Sequence, residues 1–191
     1  RDCLLSRGLG DVYKRQQIKS PARLAARKLP STYDPRSSGE ITTVKDQAST
    51  GACWAFSALA CAEQDLIKKG LENPSAEFSV PALVLSSNSG TATGKDDFSS
   101  GGNWLFAASA LANGQGLCYE DYEPFLESGT ENMIVSENKK SVSEYRLNYV
   151  MELSSTTQVK RKIMELGAVS ASYFAGNGYM NPVSYTHLTL P

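Results

Sequence analysis

The residues best placed to do chemistry lie between Val44 and Phe56, where the chain reads Val-Lys-Asp-Gln-Ala-Ser-Thr-Gly-Ala-Cys-Trp-Ala-Phe. Cys53 opens the most helical stretch of the protein. The unpaired N–H groups and positive dipole end of a helix start favour a thiolate, and a thiolate is a nucleophile where a thiol is not. Gly51 and Ala52 leave the space before the sulfur uncrowded. Gln47, six residues upstream across a small-residue turn, can fold back beside the helix start. Its amide N–H and the Cys53 backbone N–H would then converge on one point, as the two donors of an oxyanion hole do. The competing reading of any single cysteine is a buried or idle thiol. The other cysteines are Cys3, Cys61 and Cys118, at spacings that fit no metal-site pattern, and the one histidine is His187. This inventory predicts no structural zinc, no other metal and no cofactor.

A helix from Cys53 to Lys69 must carry the sulfur. It has no internal Pro or Gly, and Lys68, Lys69 and then Gly70 form its end. Ala55, Ala58, Leu59, Ala62 and Leu66 form its buried face, with Gln64 on the opposite side. Residues 17–28 are basic and Ala-rich, and residues 29–48 are broken by Pro30, Pro35 and Gly39 into an extended lead-in. Ser-, Gly- and Thr-rich residues 85–102 read as a long surface loop. A second apolar helix spans Trp104 to Ala112 and stops at Asn113-Gly114. Residues 145–153 alternate with period two, as a strand does. Ser154 to Thr157 can cap a helix running to Leu166 and ended by Gly167, and Val169, Ala171 and Tyr173 suggest another strand. A helical first half and a strand-rich second half make an α+β arrangement of two lobes. No internal repeat is present.

The 191 residues are 41% apolar and 20% charged with a formal charge of −1, the composition of one globular domain or a compact pair. The balance excludes the basic excess of a nucleic-acid binder. No apolar run approaches the roughly 20 residues of a membrane helix. No secretory signal peptide is visible at the start.

The run Thr50-Gly51-Ala52-Cys53-Trp54 resembles the active-site segment of the papain-like cysteine peptidases of clan CA, with threonine where that family begins with cysteine. Five further stretches resemble the family in the right order. Leu29 to Arg36 is similar to the mature start, Glu77-Phe78-Ser79 to the turn before the next helix, and Ser99-Ser100-Gly101-Gly102 to the groove loop. Tyr122-Glu123-Pro124-Phe125 resembles a loosened Tyr-Pro-Tyr, and Gly167-Ala168-Val169-Ser170 the opening of a barrel strand. The resemblance implies a helical left lobe beside an antiparallel β-barrel right lobe, here incomplete. It makes Cys53 the nucleophile and Gln47 the oxyanion donor. Gly101 and Gly102 would hold the substrate backbone as an added strand. Trp104 and Ser172 would lie near the pocket for the second residue before the scissile bond, a plain core aromatic being the favoured alternative for Trp104. The implied partner is a peptide or protein substrate, without nucleic acid or membrane span, and the protein is expected to be a monomer. Thr50 and Ser99 stand where many relatives have disulfide cysteines, so Cys61 and Cys118 are expected as free thiols. Such a pattern fits relatives from bacteria or other anaerobic settings better than lysosomal enzymes, and the expected location is secreted or at a bacterial cell surface.

The catalytic histidine of such an enzyme is expected roughly 130–150 residues after the cysteine. His187 lies 134 residues after Cys53 but precedes Leu188-Thr189-Leu190-Pro191, and proline suits a buried strand badly. Residues 182–191 and 1–16 resemble translated sequencing adapter. The expected organisation is therefore a non-native 1–16, a linker or prosegment remnant 17–28, a helical lobe 29–115, a partial β-rich lobe 116–181 and a non-native 182–191. On this reading the fragment lacks its histidine and asparagine and is inactive as it stands. The alternative to a peptidase is a non-catalytic module that grips extended peptides.

Overall fold

The computed structural model describes residues 28–39, 41–87, 98, 101–114, 117–122, 124–125 and 145–172. The chain divides into two compact units, Arg1–Tyr33 and Asp34–Pro191. The described residues of the first, 28–33, form no helix or strand. The second unit holds every helix described below.

Four α-helices are present among the described residues: α1 (Cys53–Lys68), α2 (Val80–Ser87), α3 (Trp104–Ala112) and α4 (Thr156–Leu166). Short 3-10 turns occupy Pro35–Ser38 and Glu120–Tyr122. Local chemistry sets the helix ends. Gly70 takes a left-handed φ of 68° after α1, and the N–H groups of Gly70 and Leu71 donate to Ile67 O and Leu66 O, which closes a Schellman stop. Asn103 caps α3 by accepting from Leu105 N at 2.9 Å. Ser155 and Gln158 cap α4 in capping-box spacing: Ser155 Oγ accepts from Gln158 N, and Gln158 Oε1 accepts from Ser154 N. No described helix is long and apolar enough to cross a membrane.

Helices α1, α2 and α3 pack on one another around Ala55, Leu59, Leu83, Val84, Ala107 and Ala110, with Phe78, Phe98 and Leu117 closing the core. Phe78 and Tyr119 form an isolated antiparallel bridge and stack their rings at 5.1 Å. Helix α4 packs on α1 from outside this cluster.

Three sequence expectations need correction. The loop expected over 85–102 excludes Leu85–Ser87, which complete α2, and Phe98 is a core residue. Gln64, expected on the exposed side of α1, is 5% exposed, because α1 is covered on two sides and Gly167 lies against it. Residues 145–153 make no ladder among the described residues, nor do Val169 and Ala171 of the second expected strand, whose Tyr173 lies outside them. Tyr145 and Leu147 bond instead at the helical ends: Leu147 N donates to Leu111 O and the Tyr145 hydroxyl to Leu71 O. Alternation marks a half-exposed extended chain, but it does not name the neighbour that supplies the hydrogen bonds.

Candidate active site

The approach to α1 is a closed turn. Asp46 Oδ1 accepts from Ala48 N, and Ala48 sits at φ 50°, a left-handed bend unusual for alanine. Thr50 then ties the turn shut. Its N–H and hydroxyl donate to Gln47 O, its Oγ1 accepts from Ala52 N, and its carbonyl accepts from Gln47 Nε2 at 2.9 Å. Threonine thus closes by hydrogen bonds a turn that the resemblance would close with a bridge. Gly51 N donates to Phe98 O, fastening the turn to a core residue.

Cys53 is the first residue of α1 and is exposed. The leading N–H groups of a helix have no carbonyl in a preceding turn to receive them. Gln47 is 8% exposed, with Nε2 engaged once by Thr50 O and Oε1 buried without a partner among the described residues. An amide nitrogen carries two hydrogens, so one remains to be given.

Gly102 reaches the same end of α1. A Cβ placed on Gly102 would sit 2.4 Å from Trp54 Nε1 and 2.5 Å from Trp54 Cε2, so the Gly102 backbone rests directly on the indole next to Cys53. Gly101 beside it has φ 73° and open space around it. Trp54 meets Phe106 of α3 edge-on at 5.9 Å. Trp104, favoured as a core aromatic, is 58% exposed. It follows the Asn103 cap at the start of α3, while Ala107, Ala110 and Leu111 are the residues that helix buries.

Gly167 lies against Gln64, and Ser170 Oγ lies 2.7 Å from Ser57 Oγ. Gln64 to Ser57 is about 10 Å of helix, and covering it between Gly167 and Ser170 takes the rise of extended chain. The segment therefore runs antiparallel to α1. Ser172 is exposed, two residues past the contact of Ser170 with Ser57. Gln47 and Gly102 are tied to the Cys53 end of α1 through Thr50 and Trp54, and Trp104 begins α3 two residues past Gly102.

Cys53, Cys61 and Cys118 are thiols rather than disulfide halves. Cys61, two turns along α1, is of a different character: burial pushes its thiol up to about 11. His187 and Ser99 lie outside the described residues.

Sequence reasoning missed Glu63, which is buried and binds Thr42, Lys45 and Phe78 N. Its signal was present: it stands four residues after Leu59 and three before Leu66, a charge inside the apolar stripe of α1.

A sequence model described as papain family cysteine protease matches residues 29–187. Cathepsin 7 of Mus musculus is 55% identical over 42 residues, 22% of this chain and 13% of that protein. Stem bromelain of Ananas comosus is 45% identical over 53 residues, covering 27% of this chain and 25% of bromelain. Cathepsin K of Mus musculus is 24% identical over 146 residues, 76% of this chain and 41% of its own length. Each match thus spans less than half of the relative's length. The cysteine protease and lectin-like domains of Cwp84, a surface layer associated protein of Clostridium difficile, share the fold at a TM-score of 0.55 and 23% identity, over 72% of this chain and 30% of that one. With a helix-opening cysteine, a closed glutamine turn and a family match across most of its length, the chain belongs to the papain family of cysteine proteases.

Proposed function

We propose that Cys53 is the nucleophile of a cysteine-type peptidase that cleaves peptide bonds through a thioacyl intermediate. The observation that carries this is the convergence at one helix end of an exposed sulfur, a buried amide with a hydrogen to give, and a glycine backbone laid on the adjoining indole. The thiolate adds to the scissile carbonyl carbon. The carbonyl oxygen takes up the negative charge and is received by Gln47 Nε2 and Cys53 N–H. Collapse breaks the C–N bond, and the amine leaves with a proton. Water then attacks the thioester, releasing the acid and restoring the thiol. These proton transfers require an acid–base group, and the described residues contain no histidine.

The substrate is an extended peptide whose backbone runs beside Gly101 and Gly102, with one side chain directed between Trp104 and Ser172. The β-barrel lobe of the family fold would supply the opposite wall. A module that only grips peptides has no use for an exposed thiol beside an oxyanion donor.

The test is acylation by the p-nitrophenyl ester of an N-acylated amino acid. That leaving group departs without a proton, so the first half-reaction is read on its own. Mass spectrometry should find one acyl group, on Cys53, and none in Cys53→Ala. Gln47→Ala should slow acylation by about 10²–10³. Acyl transfer to Cys61, or full speed in Gln47→Ala, would overturn the assignment.

A further inference from the structure

The Glu63 carboxylate is 3% exposed, yet it sits in the apolar stripe of α1. Its Oε2 accepts from Thr42 Oγ1 at 3.0 Å. Its Oε1 accepts from Lys45 Nζ at 3.1 Å and from Phe78 N at 2.9 Å. Lys45 Nζ also donates to Phe78 O at 3.0 Å. A buried carboxylate with its hydrogen bonds met is tolerated, but a buried ion pair contributes little to stability, since apolar residues of similar volume usually do as well. The pair is better explained by what it holds in place.

Residues 41–47 form neither helix nor strand. Without a ladder, such a segment needs other fixtures to keep one path. Thr42 and Lys45 supply them, pinning the segment to α1 and to the Phe78 bridge at once. Gln47 follows Lys45 by two residues, and Cys53 opens the helix that carries Glu63.

We propose that Glu63, through Lys45 and Thr42, is a positioning residue for the oxyanion donor: it fixes the lead-in segment on α1 so that the Gln47 amide is delivered beside Cys53. This rests on Cys53 as nucleophile and Gln47 as oxyanion donor. Glu63 touches no reacting atom, since ten residues of helix put it about 15 Å along α1 from Cys53.

The experiment separates positioning from mere stability. In Lys45→Met/Glu63→Met both charges leave together, so no unpaired charge stays buried and the fold should persist. Two probes are compared on the whole chain. A peptide aldehyde adds the Cys53 sulfur to its carbonyl carbon, and the oxygen, once protonated, becomes the hydroxyl of a hemithioacetal occupying the oxyanion position. Iodoacetamide alkylates the same sulfur, losing iodide, and needs no oxyanion site. The double variant should stay folded but melt lower for the orphaned Phe78 N–H, keep its iodoacetamide rate within about twofold, and bind the aldehyde about tenfold more weakly, a fraction of the loss from removing a donor outright. In a Gln47→Ala background the same replacement should cost nothing more, because both changes act on one element. Backbone amides of residues 43–47 should exchange faster with solvent. Thr42→Val, which removes one hydrogen bond and keeps the volume, is the second arm and should weaken aldehyde binding in the same direction. It decides the matter if the double variant does not fold. Parental aldehyde affinity in a folded double variant or in Thr42→Val, or an undiminished loss in the Gln47→Ala background, overturns the positioning role while leaving the nucleophile in place. Undiminished affinity in Gln47→Ala alone overturns the oxyanion assignment, and the positioning role with it.

Discussion

Gly102→Ala is the substitution whose effect can be worked most directly from the geometry. The new Cβ would lie 2.4 Å from Trp54 Nε1, 2.5 Å from Cε2 and 2.7 Å from Cδ1. Carbon atoms settle at about 3.5–4.0 Å, so the loop and the ring must separate by about 1 Å. The obstructing atoms belong to an aromatic ring that is 7% exposed and braced by Phe106, not to the free end of a flexible chain. Overpacking of this kind costs about 1–3 kcal/mol. For a chain of this length that is a fall in melting temperature of about 2–12 °C. The assay uses Trp104→Phe as background, since the sequence has two tryptophans and Trp54 is then the only fluorophore of its kind. Gly102→Ala should shift the Trp54 emission to the red and raise its quenching by acrylamide. Gly101→Asn is the control: that position has φ 73° with nothing within 4 Å, and asparagine tolerates the left-handed region. It should melt within a few degrees of the parent, with an unchanged spectrum. A Gly102→Ala protein that melts with the parent and keeps the parental Trp54 emission would refute the contact between loop and indole.

Other outcomes concern Cys61 and Gly167. At pH 8 iodoacetamide should modify exposed Cys53 well before Cys61, whose thiol, held up at about 11 by burial, is ionised to roughly one part in a thousand; peptide mapping of a timed reaction reads this. The same shift predicts a pH window for stability. The folded pKa lies above the ordinary 9.0, so this contribution is complete below about 9 and is lost as pH rises towards about 11, at up to about 1.4 kcal/mol per pH unit. Denaturant titrations of the parent and Cys61→Ala across that window should converge. Gly167→Ala meets Gln64 Cβ at 2.8 Å and the Gln64 carbonyl at 3.2 Å from a backbone with φ 94°. Strain and overpacking together should cost about 2–5 kcal/mol, read from the denaturation midpoint.

What the sequence revealed and what it hid divide along a physical line. The bounds of α1, α3 and α4 were legible because capping is local: Gly70, Gly114 and Gly167 take left-handed φ values just past helix ends, and Ser155 caps the helix expected after it. Cys53 at a helix start and Gln47 in a short turn were legible for the same reason. Pairing was not. Residues 145–147 find hydrogen bonds at the ends of α1 and α3, and no feature of an alternating pattern announces such a partner. Trp104 read as core because tryptophan is large and apolar, yet the packing of α3 leaves it at the surface. Glu63 was overlooked for the converse reason: a charge in an apolar stripe reads as an exception until Thr42, Lys45 and Phe78 are seen around it.

The central claim is that one sulfur, Cys53, meets peptides at the groove end of α1. Its most direct test is labelling by a peptidyl epoxide, in which the sulfur opens the ring and the ring oxygen becomes a hydroxyl, followed by mass-spectrometric mapping with excess free peptide as competitor. The account predicts one adduct, on Cys53, slowed by the competing peptide and absent from Cys53→Ala. An adduct that persists in Cys53→Ala, or that spreads evenly over Cys53, Cys61 and Cys118, would contradict it.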